Sequence, residues 1–207
     1  MEMSARCVLW IPLLAVLVAQ PVRAFDYPLS SEAIREAYFL AKENPDRRQA
    51  FFQPYRHSMP TPKTGADVGL IEVQTPFACM VDAMAQTAST YHAPDAVQDY
   101  LGKPGQFRVH VEIYFTDTYP KPTDTAESLG EFWNDFHIHL KQDAEIKPRS
   151  VHGEPIYNDQ TISGFIGANI DLDYDVKKID SGGVTTIDVE TPDGQDVETT
   201  FSLNSLR

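Results

Sequence analysis

Two pairs of residues have the type and spacing to do chemistry. His137 and His139 stand two positions apart, and so do His110 and Glu112. Residues i and i+2 of a strand project from one face, so each pair presents two donors on the same side of a sheet. Imidazole and carboxylate suit zinc and copper. Two adjacent strands carrying such pairs would surround an ion with three imidazoles and one carboxylate. His110, Glu112, His137 and His139 are therefore a candidate Zn or Cu site. The plainer reading is that both pairs line the solvated face of a sheet, since spacing alone supplies neither the convergence nor the geometry of a complete ligand set.

Asp171, Asp173 and Asp175 form another constellation on one strand face. A calcium loop of the helix–loop–helix kind needs glycine at its sixth position and glutamate at its twelfth. Here those positions hold Val176 and Gly182, which excludes that loop. Three like charges in a row either attract Ca²⁺ or keep an edge strand from pairing with another chain, and the second role is favoured.

Nucleophilic chemistry has little support. Cys79 lies in the apolar stretch Phe77-Ala78-Cys79-Met80-Val81, where a thiol behaves as a small buried hydrophobe. An exposed Cys79 would instead allow a covalent dimer. The chain has no Gly-x-Ser-x-Gly elbow and no phosphate loop of the Gly-x-x-x-x-Gly-Lys type. Glu127 with Glu131, or Asp135 with Glu145, would serve as an acid/base pair, but a chain this rich in carboxylates produces such pairs by chance. Trp133, beside Phe132 and Phe136, either fills the core or stacks on a sugar ring or partner.

The elements that must position these residues follow from hydrophobic periodicity. Ile34, Ala37, Tyr38 and Ala41 recur at helical spacing and predict a helix over Ser30 to Asn44, with Ser30 or Ser31 as its cap. Asp46 and Gln49 resemble a capping box and predict a second short helix over Arg47 to Tyr55. Leu70 to Thr75 reads as a strand, Phe77 to Ser89 as helix or strand, and Pro94 to Leu101 as one or two helical turns.

From Gln106 the period changes to two. Phe107, Val109, Val111, Ile113 and Phe115 alternate with polar residues, as do Ile138 and Leu140, and then Ile166, Ala168, Ile170, Leu172 and Tyr174. Ile146 to Asp159 is interrupted by Pro148, Gly153 and Pro155. Val184 to Thr191 and Val197 to Leu203 flank Pro192-Asp193-Gly194, a hairpin signal. Parallel strands buried on both faces would be continuously apolar. The expected fold class is therefore α+β: a mainly antiparallel β-sandwich or open barrel with short N-terminal helices.

The first 24 residues read differently. Arg6, the apolar run from Val8 to Ala19 and the exit Val22-Arg23-Ala24 have the order of a secretory signal peptide cleaved after Ala24. Residues 25–207 would then be a single globular domain, helical over about 30–102 and β-rich over about 106–204. A secreted or periplasmic location follows, with no membrane anchor after cleavage. Those residues carry 15 Lys/Arg against 29 Asp/Glu, a net charge of −14, which repels nucleic acid and anionic lipid. The expected function is a non-catalytic binding or protein-interaction module for an unknown protein or small ligand. The alternatives are a metal-binding protein or metal-dependent enzyme built on the histidines, and a carbohydrate-binding module using Trp133.

Overall fold

The computed structural model describes residues 25–101, 105–119, 132–158 and 164–207. The leader, and Glu127 and Glu131, lie outside these residues. The fold is α+β and mainly β, with two antiparallel sheets and four short α-helices among the described residues.

The helices come first. Helix α1 spans Ser31–Ala41 and buries Ala33, Ile34, Ala37 and Ala41. Ser30 Oγ accepts the free N–H of Ala33 at 3.1 Å, the capping bond its side chain is suited to. The helix ends three residues short of Asn44, because Asn44 caps the next one instead. Helix α2 covers Pro45–Phe52, with Asn44 Oδ1 accepting from the Arg47 N–H at 2.9 Å. It starts two residues earlier than the Asp46 pattern predicts, since Pro45 has the fixed φ that suits a first helical position.

Strands β1, Arg56–Ser58, and β2, Asp67–Gln74, follow. The ambiguous segment is helix α3, Pro76–Ala85, opened by Thr75 as cap and Pro76 as first residue. Helix α4 spans Ala93–Leu101. The remaining strands are β3 (Gln106–Tyr114), β4 (His137–Lys141), β5 (Glu145–Ile146), β6 (Ser150–Tyr157), β7 (Phe165–Asp175), β8 (Val184–Glu190) and β9 (Asp196–Ser202).

One sheet has the order β1-β2-β3-β7-β6, the other β5-β4-β8-β9. The period-two pattern settles which face is buried. Val109, Val111 and Ile113 of β3 lie opposite Val73, Ile71 and Val68 of β2, and opposite Leu172, Ile170 and Ala168 of β7. These residues join Leu140, Ile187, Val189 and Phe201 of the smaller sheet and the buried faces of the helices in one apolar cluster. His57 links the two sheets at one side, its ring stacked on Phe201 at 4.4 Å. The β8–β9 hairpin turns through Gly194 at φ +79°, a left-handed conformation that glycine adopts without steric cost.

Two expectations need correction. The stretch interrupted by Pro148, Gly153 and Pro155 contains the eight-residue strand β6. It stands at the sheet edge, where one side of the backbone has no ladder and a proline is tolerated. Strand β7, which carries Asp171, Asp173 and Asp175, is not an edge. It lies between β3 and β6, so its carboxylates do not guard an open edge and meet cross-strand partners instead.

Candidate functional site

The polar sites of β1, β2, β3, β7 and β6 fall in register. Arg56 lies opposite Glu72, Glu72 opposite His110, His110 opposite Asp171, and Asp171 opposite His152. These five side chains form one transverse row on the outer face of the larger sheet, with basic and acidic groups alternating. The four strand spacings it crosses make it roughly 19 Å long. A flanking row runs from Gln74 through Arg108 and Asp173 to Ser150, and another from Leu70 through Glu112 and Asn169 to Glu154. Asp82 of α3 and Gln86, the residue just past its end, overhang this face, and together with it they line a polar cleft of about 450 Å³.

Most of the charges are held in pairs. Arg56 forms an ion pair with Glu72, which is almost wholly buried and also accepts from Gln74 Nε2 at 2.7 Å. Arg108 donates from Nε to Asp173 Oδ1 at 2.9 Å, and a second nitrogen lies 3.5 Å from Asp171 Oδ2. His110 donates from Nδ1 to Asp171 Oδ1 at 2.7 Å, while its Nε2 lies 3.8 Å from Glu112 Oε1. The Tyr114 hydroxyl donates to the other oxygen of Glu112 at 2.7 Å.

This geometry sets the protonation states. Burial by itself lowers the pKa of His110, but the bonds to Asp171 and Glu112 and the nearby negative charge outweigh it and raise the value to about 9. His110 is therefore an imidazolium at neutral pH. Glu112 is held below its ordinary range, first by the His110 bond and against the effect of burial. Burial pushes Asp171 up, but His110 and the Arg108 charge bring it below its ordinary value. Asp82 shifts the other way: burial raises it, and the attraction of Arg108 does not fully compensate.

The sequence-derived candidates separate. His110 lines this cleft, and Glu112 stands next to it on the same face of the sheet. His137 and His139 stand on β4 of the other sheet, alternating with Ile138 and the buried Leu140, and face Glu190 and Asp188 across the β4–β8 ladder. The two pairs thus occupy the outer faces of different sheets. His139 Nδ1 is taken up by Glu145 Oε1 at 2.9 Å. Among the described residues, no group of three or more His, Cys, Asp or Glu is arranged to hold a metal ion.

Trp133 lies on the core side of β6 and is partly buried. A Cβ added to Gly153 would stand 2.1 Å from Trp133 Nε1, so the indole occupies the space that glycine leaves free. Its ring meets Phe132 edge-on at 5.7 Å. Cys79 is half-buried and has no disulfide partner among the described residues. Its sulfur lies near the Gln74 and Gln106 carbonyls at 3.6 and 3.9 Å, and burial pushes the thiol pKa up to about 12.

Arg56, Glu72, Gln74 and Asp82 were not singled out from the sequence. The available signal was the matched i, i+2 spacing of Arg108/His110 on one strand and Asp171/Asp173 on another, opposite charges at equal intervals. No protein-family model matches the chain, and no curated protein matches it.

Proposed function

We propose that this chain is an exported, non-catalytic binding module whose ligand seats in the polar cleft on the outer face of the five-stranded sheet. Export rests on the leader pattern of residues 1–24. The observation that carries the binding role is the cross-strand row from Arg56 to His152. Its charged groups neutralise one another in fixed geometry, and His110 holds its proton well past neutrality. A general base must be free to take a proton near the working pH, and an imidazolium clamped by Asp171 is not. A preorganised polar surface binds without large rearrangement cost, because its side chains are already ordered.

The metal reading draws no support from the histidine placement, and the carbohydrate reading draws none from Trp133, whose ring covers Gly153 on the core side. Equilibrium dialysis against a small-molecule extract, followed by mass spectrometry, tests the proposal. Compounds should be retained at unchanged mass, and an Arg108→Ala/Asp171→Asn variant should lose them. Conversion of a retained compound to a new mass would refute a non-catalytic role. Equal retention by the variant would refute the cleft as the site.

A further inference from the structure

We infer that the cleft takes a ligand bearing an organic ammonium or guanidinium group, bound between Gln74 and Asp82. This rests on the binding reading above and adds the ligand's chemical class. Gln74 is only 6% exposed, and its Nε2 donates to Glu72 Oε1. That bond fixes the amide orientation, because a flipped amide would set its oxygen against the Glu72 carboxylate. The Gln74 Oε1 acceptor is thereby left buried without a donor among the described residues. A buried acceptor left unsatisfied carries its full desolvation cost, which a ligand N–H would recover.

The charges point to the same class. Arg56, Arg108 and His110 face Glu72, Glu112, Asp171 and Asp173, with which they are paired. Asp82, from α3, stands at the same cleft with no ion pair or hydrogen bond among the described residues, and burial raises its pKa. Among the residues lining the cleft, Arg56, Arg108 and His110 stand against Glu72, Asp82 and Asp171, with Glu154 beside His152 at the rim, and Asp82 is the lining carboxylate left without a cation of its own among the described residues. The open hydrogen-bonding capacity of the cleft is that of an acceptor in both Gln74 and Asp82. A carboxylate or phosphate ligand would add negative charge beside Asp82, and a neutral polyol would leave that charge uncompensated. An alkylammonium or guanidinium group supplies both the missing charge and the missing N–H donors.

The test is an NMR titration of the isotopically labelled protein with putrescine at matched ionic strength, with butyrate and glucose as comparison probes. Putrescine should shift the Gln74 side-chain amide and the Asp82 backbone amide saturably at concentrations up to about 20 mM. Asp82→Asn should weaken that response by about fivefold, the scale of one partly exposed charge contact. His137→Ala, on the other sheet, should leave it unchanged. No saturable putrescine response at Gln74 and Asp82 overturns the inference, and so does full affinity in Asp82→Asn. If butyrate or glucose saturates the cleft while putrescine does not, the ligand class is wrong and the binding role stands. If no probe binds and the dialysis experiment retains nothing, both fall.

Discussion

Replacing Asp171 by Asn should detach the proton of His110 from the fold. In the folded protein the His110 pKa is raised from 6.5 to about 9. Its side chain is 21% exposed, so solvent screens the interaction only weakly. At 1.36 kcal/mol per pH unit, the displacement corresponds to about 3 kcal/mol of stability. The sign follows from linkage. A group whose folded value is raised stabilises the native state fully below its unfolded pKa of about 6.5, and that contribution disappears as pH rises through about 9.

Urea unfolding of the unaltered protein should therefore show stability falling by about 3 kcal/mol between pH 6 and pH 9.5, less the contributions of other groups titrating there. In Asp171→Asn, burial still lowers the His110 pKa, and the Glu112 bond and the charge of the cross-strand neighbour Glu72 remain to oppose it. The imidazole should then titrate well below its value in the unaltered protein, and much of the slope should vanish. Arg108 keeps Asp173 as a partner, and a guanidinium does not titrate in this window, so its altered surroundings change the level of stability and not the slope. Imidazole ¹⁵N chemical shifts give the midpoint directly. A His110 midpoint near 6.5 in the unaltered protein would refute the reasoning, as would an unchanged slope in the variant.

Two further outcomes follow from packing. Gly153→Ala places a methyl group where Trp133 lies, so the indole must move or the edge strand must shift. An overpacking cost of about 1–3 kcal/mol is expected in urea unfolding. Trp133 is the sole tryptophan of residues 25–207, so its fluorescence maximum reports the displacement, and an unchanged spectrum with unchanged stability would contradict the placement. Cys79, with its thiol pKa at about 12, should react with a thiol reagent at pH 8 far more slowly in the native protein than in urea. Equal rates would show that the sulfur is not shielded.

The buried half of each strand was legible because burial leaves a local signature. Val109, Val111 and Ile113 alternate with polar residues whatever lies beside them, and all three are fully buried. Helix α3 was less legible, since Phe77, Met80, Val81 and Met84 are apolar enough for either element. The structure resolves the choice through Thr75 and Pro76, a cap and a first-turn residue at the right positions. Strand β6 was illegible for a different reason. Pro155 counts against a central strand, and edge position is a property of the assembled sheet that its own residues do not encode.

The same distinction explains the candidate site. The i, i+2 rule established that His110 and Glu112 share a face, and that His137 and His139 do too. It is silent on which strands become neighbours. Pairing β3 with β7 gives His110 a carboxylate at 2.7 Å, while pairing β4 with β8 sends the other two histidines to a separate surface. Opposite charge narrows the choice of register without completing it. Arg108 and His110 fall opposite Asp173 and Asp171, so both basic residues meet acids in a single register. A two-residue slip, which would keep every apolar side chain inward, would set Arg108 opposite Asp171 or Asp175 and His110 opposite Asn169 or Asp173. A slip toward Asn169 would deprive the imidazolium of its direct cross-strand partner. A slip toward Asp175 would still oppose both basic residues to acids, so charge alone does not exclude it. The close partners seen at β3 and β7 thus select against one neighbouring register, while the other must be resisted by the packing of the apolar face and by the strand ends.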